Sequence, residues 1–202
     1  MKKTTIVIYK PYMMLSQFRQ EVEGQSTLAD LNLGLAKDIY PVGRLDADSE
    51  GLLLLSSDKS LTDKLLNPKN GHGRVYFVQV EGEPTAEALA LLRSGVDIRV
   101  VKGGAMYHTS EAKVAVLSEE DVAFLPPRLP AVRFRANIPT TWLSLELGEG
   151  KNRQVRKMTA AVGLPTLRLV RVSIGGLRLA DLGLVPSAAK MLTEEELELV
   201  YS

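Results

Sequence analysis

Short apolar runs, each closed by a turn residue, set the tightest limit on how this chain can fold. Thr4–Tyr9 is β-branched and apolar and stops at Lys10-Pro11, which predicts a strand. Ile39–Val42 and Leu52–Ser56 predict two more, joined by an acidic segment, and Val75–Val80 predicts a fourth. Further strands are expected around Ile98, Tyr107, Val114 and Val132, then at Trp142–Leu147 and Thr166–Ile174. The helices between them are short. Ser26–Leu31 carries its own capping residues, Asp58–Leu66 stops at Asn67-Pro68, and Asn67–Gly73 reads as a loop. Pro84–Arg93 has Pro84 suited to a first turn and Gly95 past its end. Asn152–Val162 is expected to turn Val155, Met158 and Val162 inward, with Asn152 as cap and Gly163 as terminator, and Thr193 caps a last acidic helix. These elements do not alternate as βαβ units, and no long repeat is evident. The reading is α+β with a mostly antiparallel sheet.

A chain of 202 residues suits one sizeable domain or two small lobes sharing a core. Pro126-Pro127 and Pro130 mark its one expected hinge. A hydrophobic fraction of 45% with 24% charged residues is globular rather than disordered. With no cysteine, disulfides and thiolate metal sites are excluded, and two distant histidines, His72 and His108, argue against a histidine zinc site. The apolar run behind Lys2-Lys3 is too short for a signal peptide, and no segment approaches the roughly 20 apolar residues of a membrane span. The expected location is the cytoplasm.

The net charge of +1 hides an asymmetry. Between Arg128 and Arg178 there are ten Lys/Arg against two acidic residues, Glu146 and Glu149. A basic segment in a near-neutral protein is what a localised polyanion site requires, although an Arg-rich solvated surface accounts for the count equally well.

The acidic segment between the second and third strands admits several readings. Asp46, Asp48 and Glu50 alternate before Gly51 and partly imitate a calcium-binding EF-hand loop. That loop needs a bidentate glutamate at its last position, where this chain has Ser57. A glycosidase pair of carboxylates normally comes from distant parts of a chain, not from neighbours on one turn. The plainest reading is a turn in which Asp48 or Ser49 bonds the backbone and Gly51 supplies a positive φ. Arg44 shares a face with Asp46 on an extended stretch, so its guanidinium can lie beside that carboxylate.

Gly43-Arg44-Leu45-Asp46-Ala47-Asp48-Ser49-Glu50-Gly51-Leu52, continuing to Asp58, closely resembles the active-site motif of the RsuA/RluB/E/F group of pseudouridine synthases. The likeness extends through Lys10-Pro11-Tyr12, Tyr76–Gly82, Pro126-Pro127, Glu149–Met158 and Gly163–Leu169, in that order, and so spans nearly the whole chain. Met13-Met14 departs from the group where a glycine is expected, which bears on loop geometry and not on chemistry. Many members carry an N-terminal S4 domain. This chain is expected to begin directly at the catalytic domain, covering 1–202, and its later motifs are most like the E-type enzymes acting on 23S rRNA.

The resemblance implies the pseudouridine synthase catalytic fold: a mostly antiparallel mixed sheet in two lobes, short flanking helices and a central cleft. It also implies a reaction in which the N1–C1′ bond of a uridine breaks, the base turns, and C5 reattaches. An isomerisation of this kind needs no cofactor and no metal. Asp46 is implied as the catalytic carboxylate, acting either as nucleophile at C1′ or in support of uracil departure. Tyr76 is implied as the ring that stacks on uracil and helps remove the C5 proton, although a strand residue packing on the core fits its pattern too. Arg156 is implied as the cation paired with Asp46. Arg44 would fill the gap left by a flipped nucleotide. A capping Asn152 would leave helix amides free to seat a phosphate.

Arg128, Arg133, Arg135, Lys151, Arg153, Lys157, Arg168 and Arg171 are candidate phosphate contacts. The implied partner is 23S rRNA or a large-subunit assembly intermediate, met by a monomer away from membranes. A competing function is a catalytically silent RNA-binding or ribosome-assembly protein of the same fold. Loss of Asp46, Tyr76 or Arg156 would mark it, and all three are present.

Overall fold

Leu52, Leu53, Leu54 and Leu55 are each at most 1% exposed, so the strand carrying them is covered on both faces. That is why it reads as an unbroken apolar run rather than an alternating one. The computed structural model describes residues 3–67, 72–133 and 135–201. Most of the loop expected at 67–73 lies outside the described residues.

In chain order the first strands are β1 (Thr5–Lys10), β2 (Met14–Leu15), β3 (Ser26–Thr27), β4 (Tyr40–Val42) and β5 (Glu50–Ser56). Helix α1 (Lys59–Leu66), β6 (Arg74–Glu81) and α2 (Ala86–Ser94) follow, then β7 (Asp97–Arg99), β8 (Met106–His108), β9 (Lys113–Leu117) and α3 (Glu119–Val122). The chain continues through β10 (Thr140–Leu147), α4 (Gln154–Ala161), β11 (Thr166–Ile174), β12 (Leu177–Arg178), α5 (Leu179–Leu182), β13 (Ala189–Met191) and α6 (Glu194–Leu199). The chain divides into two units, one of Met1–His72 with Val170–Ser202 and the other of Gly73–Leu169. Residues 126–130 lie inside the second.

In the first unit, β1 runs antiparallel to both β13 and β5, while β4 pairs antiparallel with the far end of β5. At the near end of β5, Glu50 and Gly51 pair in parallel with Val170 and Arg171 of β11. Ile6, Ile8, Leu53 and Leu55 form one core with Met14, Leu28 and Ile39. The short helix expected near residue 28 is a single 3₁₀ turn, Leu28–Leu31, closed by a reciprocal Thr27–Asp30 capping box. Thr193 and Glu196 make the same box on α6.

In the second unit, β6, β10 and β9 pair in antiparallel order. Val78, Val80, Leu143 and Leu145 pack against Ala88 and Leu92 of α2 and Val155 and Met158 of α4. Three local expectations need correction. Pro84 precedes α2, because the Thr85 side chain can accept from the Ala88 amide and proline has no such acceptor. No strand forms at Val132: Pro127 and Pro130 cannot donate to a ladder, and the Arg128 guanidinium bonds the Pro130 and Ala131 carbonyls instead. Helix α4 starts at Gln154, not Asn152.

Candidate active site

Asp46 lies in the connection from β4 to β5. Its carbonyl accepts from the Ser49 amide at 3.0 Å, so Asp46–Ser49 is a tight turn. Asp46 and Asp48 are half-buried, whereas Glu50 lies within β5 and is 2% exposed. The acidic cluster seen in sequence is therefore two acids on a turn and one in the sheet.

Two side chains hold the backbone around this turn. Ser16 Oγ donates to the Leu45 carbonyl at 2.7 Å and accepts from the Leu45 amide at 3.0 Å. Lys10 is fully buried, and its Nζ donates to the carbonyls of Pro11 (2.9 Å), Met14 (2.7 Å) and Ala47 (3.2 Å). Three acceptors match the three donors of an ammonium. Burial drives the Lys10 pKa down to about 7, while the carboxylates of Glu50, Asp48 and Asp46 pull it up and Arg171 adds to the fall. The Arg44 side chain is exposed and reaches Gln17 Oε1 at 3.1 Å.

Gly51 is required by a close approach. A Cβ there would stand 2.2 Å from the Arg171 carbonyl oxygen and 2.7 Å from its amide nitrogen, and φ is +102°. Arg171, a candidate phosphate contact in the sequence, is 5% exposed and donates through Nε to the Leu52 carbonyl at 2.7 Å. Lys10 enters the sequence reading only as part of the Lys10-Pro11-Tyr12 motif, and Ser16 not at all. A lysine ending a strand buried along its whole length was the available signal for Lys10.

The second unit carries Tyr76, Arg156 and most of the basic residues. Tyr76 faces Leu145 of β10 across the strand pair and lies half-buried beside the core that Val78 and Val80 continue. On α4, Val155 (4% exposed) and Met158 (0%) face that core, and Arg156 between them is half-buried. Asn152 does not cap the helix. The cap is Arg153, in the left-handed region at φ 51° and without a side-chain capping bond. Asn152 instead accepts from Lys157 Nζ through its carbonyl (2.8 Å) and Oδ1 (3.0 Å).

The loop before α4 is organised by Glu149, which sequence reading used only as part of a motif. Its carboxylate accepts from the Tyr107 hydroxyl, the Ser110 amide (2.9 Å) and Gln154 Nε2 (2.6 Å). Burial pushes the Glu149 pKa up, but those bonds and the charge of Lys151 outweigh it, and the net shift is downward. The same bond raises the Tyr107 pKa. Lys151 Nζ lies 4.7 Å from the centre of the Tyr107 ring.

Arg133 is exposed, Arg135 pairs with Glu81 at 2.6 Å, and Arg128 is engaged with carbonyls of its own loop. Arg168 is 6% exposed, donates to the Pro126 carbonyl at 3.0 Å and stands 6.0 Å from the Trp142 ring centre. Arg44, Asp46 and Arg171 thus belong to the first unit, and the other candidate residues to the second. Among the described residues, no group of three or more His, Asp or Glu is placed to hold a metal ion, and no helix is long and apolar enough to cross a membrane.

The α+β fold and the motif-bearing turn define a class of RNA-modifying enzymes: the chain belongs to the RNA pseudouridylate synthase family, whose profile matches residues 4–161. Among its relatives, the ribosomal large subunit pseudouridine synthase E of Vibrio parahaemolyticus is 49% identical over 180 residues, covering 89% of this chain and 71% of that protein. The protein of the same name from Xanthomonas axonopodis pv. citri is 49% identical over 175 residues, covering 86% and 87%. The fold is also that of a pseudouridylate synthase solved by crystallography, with a TM-score of 0.77 at 24% identity over 98% of this chain and 74% of that one.

Proposed function

We propose that this protein converts a uridine of the large-subunit rRNA, the 23S rRNA, to pseudouridine. The observation that carries the reading is the 49% identity to ribosomal large subunit pseudouridine synthase E, which extends over most of both chains. In this reading the N1–C1′ bond breaks, the uracil turns, and a C5–C1′ bond forms. The C5 proton is then lost and N1 ends protonated, so nothing is consumed.

Asp46 supplies the carboxylate at C1′, held by a turn whose flanking backbone Ser16 and Lys10 fix. Tyr76 stacks on the uracil and assists proton loss from C5. Arg156 supplies the cation of the catalytic set. Arg44, exposed in the connection from β4 to β5, fills the space the flipped nucleotide leaves. Lys151, Asn152, Arg153, Lys157, Arg128 and Arg133 meet the RNA backbone. Arg168, buried on the Pro126 carbonyl, fixes the segment that presents Arg128 and Arg133. The protein acts as a cytoplasmic monomer on rRNA or on an assembly intermediate.

Tritium release from [5-³H]uridine-labelled 23S rRNA tests the assignment. Asp46→Asn is expected to abolish release while leaving RNA affinity within about threefold. Retained turnover would remove Asp46 from its role. Wild-type protein that releases no tritium from any rRNA would remove the activity.

A further inference from the structure

The Glu149 carboxylate gathers three donors from two separate pieces of chain, the Tyr107–Ser110 stretch and α4, and the residue is 7% exposed. Gln154, bonded to it through Nε2, turns its Oε1 back to accept from the Lys151 amide at 2.8 Å. From the next turn of α4, Lys157 Nζ holds both oxygens of Asn152 and also reaches the Val100 carbonyl at 3.1 Å. Gly150–Arg153 is therefore gripped from two sides. Its last residue enters α4 with a positive φ that a non-glycine residue keeps only when its surroundings impose it.

An acid beside a basic loop works against phosphate binding by simple charge. Its burial carries a desolvation cost as well. What it provides in return is shape: charge-assisted bonds to a buried carboxylate are short, directional and strong enough to remove the freedom of a Gly-Lys-Asn-Arg segment. Arg153 is left exposed at the end of that segment.

We propose that Glu149 is a positioning residue for RNA: through Gln154 and Tyr107 it sets the basic loop Gly150–Arg153 in the one geometry that meets the RNA backbone, a role that rests on the rRNA-isomerising function above. It acts on the loop, and touches neither uridine nor phosphate.

Glu149→Ala, Glu149→Gln and Tyr107→Phe test this in the full-length protein. The readouts are kcat and KM on a transcribed 23S rRNA fragment, Kd across a salt series, and thermal unfolding. Glu149→Ala is expected to raise KM by about tenfold or more while kcat changes by less than about threefold. The slope of log Kd against log salt should flatten by roughly 0.7–0.9, the equivalent of one phosphate contact. Glu149→Gln keeps an acceptor for Ser110 and Gln154 and should restore most of the KM. A pure charge effect predicts the opposite, tighter binding in both Glu149 variants, and that result overturns the proposal. So does a lowered melting temperature with KM and salt slope unchanged. If Glu149→Ala does not fold, Tyr107→Phe decides: a raised KM supports the role and an unchanged one overturns it. If the wild-type protein converts no uridine, the rRNA-isomerising function fails while the salt series still tests the loop.

Discussion

Ser16 Oγ satisfies both backbone polar groups of Leu45, one residue before Asp46. The contact joins the loop after β2 to the turn before β5, and it is buried. Ser16→Ala leaves a buried amide and a buried carbonyl without that partner. The expected loss is about 2 kcal/mol of stability, within the range for unsatisfied buried groups. Urea denaturation measures it, and stability equal to wild type would show that Leu45 is held by something else.

Lys10 makes stability depend on pH in a defined direction. Its pKa is about 7 in the folded protein, against 10.5 as the ordinary value. Below about 7 both states hold the proton and the Lys10 contribution is flat. Between the two values the unfolded chain binds a proton that the folded one has released, so stability rises with pH, by up to about 1.4 kcal/mol per pH unit. Denaturation of wild type and Lys10→Met at about pH 6 to about pH 9 checks this. The difference should grow in favour of wild type above pH 7, and a constant difference contradicts it.

Met13 occupies the left-handed region at φ 60°, where the family pattern led us to expect glycine. A side chain there costs roughly 1–2 kcal/mol, part of which glycine gives back through its freer unfolded state. Met13→Gly should therefore stabilise the protein by about 0.5–1 kcal/mol, seen as a higher denaturation midpoint at unchanged slope. The side chain is 56% exposed, so little packing is lost.

Gly51→Ala is expected to be far more damaging than its size suggests. The new methyl would overlap the Arg171 backbone, which is itself paired to β5. Relief requires separating β11 from β5, at a cost of several kcal/mol. Circular dichroism melting and soluble yield report it, and a near-normal melt would mean that the strands can shift at little cost.

The strand pattern was legible because burial alternates or saturates along short segments. Val78 and Val80 announce one buried face, and Leu52–Leu55 a strand covered on both. The acidic turn was legible too, as Gly51 takes the positive φ that the sequence reading gives it. The start of α4 was misread for an equally physical reason. Asn152 is the better local cap, but Glu149 captures Gln154 with help from Tyr107, 42 residues away from it in sequence, and the helix begins where that network allows. Val132 was misread likewise, because Arg128 takes carbonyls that a strand would have used.

What the sequence determined by itself was the order of the motifs, the family they belong to, and which segments extend or coil. Those follow from side-chain period, turn residues and short contiguous patterns. Tertiary structure alone decided which charged residues are surface and which are framework. Lys10, Glu149, Arg168 and Arg171 all look like solvated charges in the sequence, yet each is at most 7% exposed. A charge can be buried only where carbonyls, amides or opposite charges converge on it, and here those partners include residues far along the chain.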